Sequence, residues 1–180
     1  LRRQRQMCIR DRARIASGAR LRAALLVTRA TPLRGSGDVA GGSAPGQVRV
    51  VADHLNVSGG SLFPAPGMVS AGWDATLTER LGSLRGVSGS SVVALVPGPL
   101  RPSPAESRAL VSLGADAAVT DSVAEAMVLA SRGVAVSALT YLDAPAAGGN
   151  LGRAQLSLRQ ASGVTLAAVE EILRSLRAGA

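Results

Sequence analysis

Few residues of this chain are suited by type to thiol chemistry or to a metal site built from histidine and cysteine. His54 is the single histidine and Cys8 the single cysteine among 180 residues. A metal site needs several such ligands, and a disulfide needs a second cysteine. Gly59 and Gly60 are not followed by the Gly-Lys-Ser of a phosphate-binding loop. The residue types therefore argue against a metal site, thiol chemistry and a P-loop, and we expect no metal or organic cofactor.

The elements that must position a site are clearest between residues 91 and 143. Apolar runs at residues 91–96, 117–120 and 134–142 predict three buried strands. Two helices should separate these strands, and each is marked by capping-box spacing and a closing glycine: Ser103, Pro104 and Glu106 with Gly114, then Ser122 and Glu125 with Gly133. This alternation of strands and helices predicts a parallel sheet covered by helices.

The flanking segments extend this pattern on both sides. Residues 24–28 and 47–57 read as strands, residues 29–32 as a turn, and residues 33–46 and 58–72 as loops. Residues 75–84 should be helical, and a last helix should run to about residue 177. Its predicted apolar face consists of Leu166, Val169, Ile172, Leu173 and Leu176. Trp73 and Tyr141 are expected in the core.

Several short motifs, in the same order along the chain, resemble the second half of the purine nucleoside phosphorylases and their methylthioadenosine-cleaving relatives. The motifs, spread over residues 25–176, are Val50-Val51 with Asp53-His54-Leu55-Asn56, Gly98-Pro99, Pro104-Ala105-Glu106-Ser107-Arg108, Leu113-Gly114-Ala115-Asp116-Ala117, and Ser122-Val123 with Glu125. The resemblance implies an α/β fold with a central mixed, largely buried β-sheet flanked by helices, truncated at its N-terminus. It also implies a homotrimer.

The resemblance places candidate ligand contacts at five positions. Ala30 falls in a turn that approaches the substrate in the family, and Arg101 follows Gly98-Pro99, where the family has an aromatic residue. Thr120 and Asp121 replace a Met-Ser or Met-Thr pair whose hydroxyl binds phosphate. Gln155 stands where a histidine opens the last helix.

Asp143, the candidate catalytic residue, follows the third strand. Aminopurine enzymes of the family carry aspartate there and oxopurine enzymes asparagine. Asp143 could accept a hydrogen bond from a purine nitrogen or simply cap a loop. By contrast, we expect Asp53, His54 and Asn56 to be structural, as in the family.

The resemblance implies a protein that binds a purine nucleoside and phosphate, with phosphate as co-substrate, and that cleaves the nucleoside to base and pentose 1-phosphate. The Asp121 carboxylate would repel phosphate, and the family's other phosphate ligands precede residue 25. We therefore expect impaired activity in this chain. The alternative is a diverged, non-catalytic homologue that serves as a purine-binding or assembly subunit. Arg29 or Arg101 could offset the Asp121 charge.

The first dozen residues distort the global charge. Residues 7–11 match the translation of a sequencing-library adapter, so we expect residues 1–12 to be non-native and residues 13–180 to form one domain. Without that segment's five arginines and one aspartate, the formal net charge falls from +8 to +4. That charge does not indicate nucleic-acid binding. No apolar run is long enough to cross a bilayer, and we expect a cytoplasmic protein.

Overall fold

The computed structural model describes residues 20–33, 45–58, 72–97, 101–143 and 151–178, with side chains of the last range described from residue 159. The strands of these residues are β1 (Ala23–Pro32), β2 (Val48–Asn56), β3 (Val87–Leu95), β4 (Ala117–Val119) and β5 (Ala135–Leu142). The helices are α1 (Ala75–Gly82), α2 (Pro104–Ser112), α3 (Val123–Ala130) and α4 (Leu151–Ala178). The predicted segment of residues 1–12 lies outside the described residues.

The strands form one mixed, closed sheet in the order β1-β4-β3-β2-β5, in which β5 returns to pair with β1. β3 runs parallel to both β2 and β4, and β1 runs parallel to β5. The β1–β4 and β2–β5 pairs are antiparallel. The predicted mixed sheet is thus confirmed. The purely parallel arrangement predicted for residues 91–143 is wrong, because β5 does not pair with β4. It lies between β1 and β2 and runs antiparallel to β2.

The turn predicted at residues 29–32 is also wrong, because β1 continues through Pro32. Ala30 pairs with Leu142 of β5, and Thr31 pairs with Ala118 of β4. This end of β1 is therefore paired with β5 on one side and with β4 on the other. Pro32, which has no N–H to donate, stands at the last position of the strand.

The two predicted capping boxes have different outcomes. At α2, Ser103 Oγ accepts from the Glu106 N–H and the Glu106 carboxylate accepts from the Ser103 N–H, as predicted. At α3 the prediction is wrong: Ser122 has φ +67° and its hydroxyl donates to the Asp121 carbonyl oxygen at 2.6 Å. Because that hydroxyl is turned back along the chain, it cannot cap α3.

Helices cover the sheet through three apolar clusters. α1 and α4 pack with Leu139 and Tyr141, α3 with Val136 and Ala138, and α2 with Ala94 and Ala118. Trp73 and Tyr141 are buried, as predicted. Within the described ranges, no helix is long and apolar enough to cross a membrane.

The predicted apolar face of α4 is only partly correct. Ile172 is buried and Leu176 packs against the core, but three other members of that face are exposed: Leu166, Val169 and Leu173. The buried side of α4 is completed instead by Val164 and Ala168. Small residues let the helix axis approach the sheet, so the packed face is rotated away from the larger leucines.

Candidate functional site

The carboxyl end of β1 is the centre of the candidate site. On one side β1 pairs in parallel with β5, whose strand ends at Leu142 opposite Ala30. On its other side β1 pairs antiparallel with β4, which places Thr31 opposite Ala118. The residues that follow β5 therefore emerge at the carboxyl end of β1, whereas those that follow the antiparallel β4 run back alongside β1. In open α/β sheets, ligands bind outside the carboxyl ends of the strands. The end shared by β1 and β5 is the corresponding place in this closed sheet.

Asp143 is the charged residue on the β5 side. Its backbone N–H donates to the Ala30 carbonyl oxygen at 2.8 Å, which fixes it beside β1. Its Oδ2 atom lies 2.5 Å from an Arg29 nitrogen and 3.6 Å from an Arg101 nitrogen. The structure thus brings together two of the predicted site residues, Asp143 and Arg101, and adds Arg29, which the sequence suggested only as a compensating cation.

Asp121 is the charged residue on the β4 side. Continued by three residues, the β1–β4 register that pairs Thr31 with Ala118 places Thr28 opposite Asp121. The Thr28 hydroxyl donates to Asp121 Oδ1 at 2.5 Å. Sequence analysis missed Thr28, although a hydroxyl that interrupts the apolar run of residues 24–27 was a usable signal. Thr28 is 5% exposed, so this bond anchors an otherwise exposed aspartate to the sheet.

The remaining predicted contacts are less directly placed. Ala30 is buried in the core, so it contributes through its carbonyl oxygen, which holds Asp143. Thr120 is exposed between β4 and Asp121. Gln155 lies in the first part of α4, and its side chain is outside the described residues. Gly98 and Pro99, which precede Arg101, are outside them as well.

Exposure makes the cluster of Arg29, Arg101 and Asp143 easy to rearrange. Its two arginines and one aspartate carry a formal net charge of +1. Arg29 is 75% exposed and Arg101 44% exposed, whereas Asp143 is 25% exposed. An exposed ion pair contributes roughly 0–1 kcal/mol, so a ligand that binds the guanidinium groups displaces little stability. The cluster can therefore exchange an internal contact for a contact with a ligand.

Asp116 links the strands that position the candidate site. Its carboxylate accepts from the Val92 N–H at 2.8 Å, and its own N–H donates to the Val92 carbonyl oxygen. Its carbonyl oxygen accepts from the Leu33 N–H at 3.0 Å. One residue thus joins β3, the start of β4 and the chain that leaves β1, and it sets the register that brings Thr28 to Asp121.

Next to Asp121, Ser122 has an unfavourable backbone conformation. It is one of two non-glycine residues with positive φ among the described residues, the other being Arg20. Such a conformation costs of order 1–3 kcal/mol and is often found at functional sites. No group of three or more histidine, cysteine, aspartate or glutamate side chains among the described residues is placed to hold a metal ion.

His54 is held by hydrogen bonding and ring packing. The Trp73 indole N–H donates to His54 Nδ1 at 3.2 Å, and the two rings meet edge to face. Asp53 accepts from the His54 N–H, and Asn56 accepts from Ser58. Burial lowers the pKa of His54, and Asp53 partly opposes this shift. These contacts agree with the structural role expected for all three motif residues.

We expect His54 to make folding stability depend on pH. Because its pKa is lowered in the folded state, the unfolded chain takes up the proton more readily. The stability that His54 contributes is fully present above its ordinary pKa of about 6.5 and is lost as the pH falls below that value. Urea midpoints at about pH 7.5 and 5.5 should therefore differ less in His54→Gln than in the parent. An unchanged difference in the variant would contradict this.

Comparison with known proteins identifies the fold. The chain matches no protein-family model and no curated protein. A Schistosoma purine nucleoside phosphorylase in complex with hypoxanthine superposes with a TM-score of 0.68 at 17% identity, covering 89% of this chain and 64% of that chain. Methylthioadenosine phosphorylase from Schistosoma mansoni gives 0.71 at 14% identity, covering 91% and 68%.

A mutant adenosine/methylthioadenosine phosphorylase in its apo form gives a TM-score of 0.73 at 13% identity, covering 91% of this chain and 71% of that chain. The chain thus spans 64% of the length of the first of these structures. Identities this low concern the fold and not the activity. The described chain has the α/β fold of the purine nucleoside and methylthioadenosine phosphorylases.

Proposed function

We propose that this protein binds the purine of a nucleoside at the carboxyl end of β1, beside Asp143. The observation that carries the proposal is the convergence of Arg29 and Arg101 on Asp143 at the strand ends of a phosphorylase fold. A purine edge carries both hydrogen-bond donors and acceptors. Guanidinium groups beside a carboxylate offer the complementary set. The Schistosoma neighbours crystallised with hypoxanthine and with inosine support this choice of ligand.

In its phosphorolytic form, the proposal extends to phosphate-dependent cleavage of a purine nucleoside to base and pentose 1-phosphate by a cytoplasmic homotrimer. Phosphate is then the co-substrate, and no organic cofactor or metal takes part. Asp121 argues against efficient cleavage by this chain. A carboxylate about 4 Å from a phosphate charge costs on the order of 1–4 kcal/mol per charge pair. The Asp121 carboxylate therefore favours the alternative function, a purine-binding or assembly subunit without catalysis.

Calorimetric titration of the full chain with hypoxanthine and adenine tests purine binding. We expect at least one base to bind and Asp143→Ala to weaken that binding. Glu171→Ala is the matched control, because Glu171 also pairs with two arginines but joins α1 to α4. The proposal would be refuted if neither base bound, or if Asp143→Ala and Glu171→Ala lost the same affinity for the base.

We further expect no phosphate-dependent release of base from inosine or methylthioadenosine by this chain. The physical reason is the Asp121 charge at the position that contacts phosphate in the resembling family. Base release should be followed by chromatography at saturating phosphate, with a nucleoside-binding check in the same preparation. Phosphate-dependent release would show that the chain is catalytic and would remove the case for a binding subunit.

A further inference from the structure

The outward side of α4 carries a stripe of apolar side chains. Leu166 is 66% exposed, Leu173 is 49% exposed and Val169 is 41% exposed. Leu176 continues this α4 stripe and is partly buried against the core. Three of the seven large apolar side chains that are exposed among the described residues therefore lie within eight consecutive residues of one helix. A contiguous exposed apolar surface of this kind is typical of a contact with another protein.

The spacing of the α4 stripe is that of a helix that pairs with another helix. Its four members, at residues 166, 169, 173 and 176, are separated by three, four and three positions, as the a and d positions of a coiled coil are. The stripe rises about 15 Å along the helix. The sheet covers the opposite side of α4, so the stripe is the side that a second helix can approach.

Two residues of opposite charge flank the stripe on one side. Glu170 follows Val169 and Arg177 follows Leu176, which places both charges at the e position of a coiled coil. Both side chains are exposed, and none of the ion pairs of the described residues includes either of them. They are seven residues apart, about two helical turns, so they are not neighbours on their own helix.

We propose that α4 binds α4 of a second copy of this chain, with the two helices antiparallel about a two-fold axis. In an antiparallel pair, an a residue packs against a d residue of the partner helix. Leu173 then contacts Val169 of the second copy, and Leu166 contacts Leu176 of the second copy. The two-fold axis repeats each contact, so that all four members of the stripe are covered in both copies.

The flanking charges favour this orientation and this occupant. In the antiparallel register, e positions face e positions, which places Glu170 opposite Arg177 of the second copy, twice per pair. In a parallel pair, e positions would face g positions, and Glu170 would meet the uncharged Thr165. One helix thus carries both halves of a complementary charge pattern, as a surface that binds its own copy must.

The length of the stripe sets the strength of the contact. Two helices that touch over about 15 Å bury less than the roughly 1,200 Å² of a standard stable interface. We therefore expect a weak pair, with a dissociation constant of about 1–100 μM. A two-fold contact is distinct from the three-fold contacts of the homotrimer proposed above, and the inference does not depend on purine binding.

Sedimentation velocity of the full chain, from about 1 to 200 μM, tests the pairing. We expect the mass of the largest species to double as the concentration rises, and Leu173→Glu to abolish this doubling. Leu113→Glu is the matched control, because Leu113 is 63% exposed but lies at the end of α2. It should pair like the parent. Since both sites are exposed, the urea midpoints of the two variants should stay close to that of the parent.

Charge reversal tests the antiparallel register. Glu170→Arg and Arg177→Glu should each weaken pairing by roughly 2–30-fold, the effect of two exposed ion pairs. The double variant restores both pairs with their signs exchanged, so it should associate like the parent. High salt should reduce the difference between the single variants and the parent.

Three outcomes would overturn the inference. A mass of the parent that does not change with concentration removes the pairing altogether. Equal loss of pairing in Leu113→Glu and Leu173→Glu assigns the association to a surface other than α4. Failure of the double charge reversal to restore pairing shows that Glu170 does not face Arg177 of a second copy, and the antiparallel arrangement is then wrong.

Discussion

Gly86→Ala is expected to destabilise the protein by roughly 2–5 kcal/mol, because a left-handed backbone costs about 1–2 kcal/mol and overpacking about 1–3 kcal/mol. Gly86 has φ +95°, a conformation that a side chain disfavours. A β-carbon built there would stand 2.7 Å from Val164 Cγ2, closer than two carbon atoms can approach. Val164 is buried on α4, so the clash acts on the contact between α4 and the loop after α1. Urea unfolding of variant and parent measures the loss.

A matched glycine separates the two causes. Gly114 has nearly the same φ, +93°, but a β-carbon there would meet nothing within 4 Å. Gly114→Ala should therefore cost only the backbone part, about 1–2 kcal/mol. Adding Val164→Ala to Gly86→Ala should recover part of the loss, giving a favourable coupling between the two sites. If Gly86→Ala costs no more than Gly114→Ala, the steric part of the prediction is wrong.

Features set by neighbouring residues in the chain were predictable from the sequence. The start of α2 follows from Ser103, Pro104 and Glu106, whose capping interactions close within one helical turn. The end of α2 follows from Gly114, whose positive φ continues the chain out of the helix. The capping pattern at Ser122 failed because the Ser122 hydroxyl donates to the carbonyl oxygen of Asp121, a residue whose side chain is itself bonded to Thr28, 93 residues earlier. Local spacing cannot reveal that bond.

Strand pairing could not be predicted from local signals either. The apolar run of residues 134–142 was recognised, but its insertion between β1 and β2 depends on contacts between residues 89 to 112 positions apart in the chain. The continuation of β1 to Pro32 likewise depends on pairing with β4. The mixed sheet was predicted from the resemblance to a family, whereas periodicity alone predicted a parallel sheet.

Charged residues of the candidate site were predicted from the sequence, whereas the residues that hold them in place were missed. Asp143 and Arg101 were identified through the resemblance to a family, at positions that contact the ligand there, and the structure places them 3.6 Å apart. Thr28 was missed because its role depends on the antiparallel register of β1 with β4. The exposed leucines of α4 were misplaced because amphipathic spacing gives an apolar face but not the rotation at which small residues allow close packing.

Asp116→Ala is expected to destabilise the protein by roughly 2–3 kcal/mol. The loss measures how strongly the Asp116 carboxylate holds β4 in register with its neighbouring strands. The substitution removes the carboxylate that accepts from the Val92 N–H at 2.8 Å and leaves that donor without its bond. A hydrogen bond to a charged group is worth about 1.5–3 kcal/mol, and a partly buried donor makes the upper part of that range appropriate. The backbone bonds of Asp116 to Val92 and Leu33 remain possible, so the change isolates the side chain.

Two controls make the Asp116 measurement specific. Asp53 also accepts a backbone N–H, from His54 at 2.7 Å, but on the exposed surface, so Asp53→Ala should cost under about 1 kcal/mol. Asp116→Asn keeps a hydrogen-bond acceptor without the charge, so its loss of stability should lie between those of Asp116→Ala and Asp53→Ala. If Asp116→Ala costs no more than Asp53→Ala, the carboxylate does not hold β3 against β4. The placement of Asp121 beside Thr28 would then have to come from the β1–β4 pairing alone.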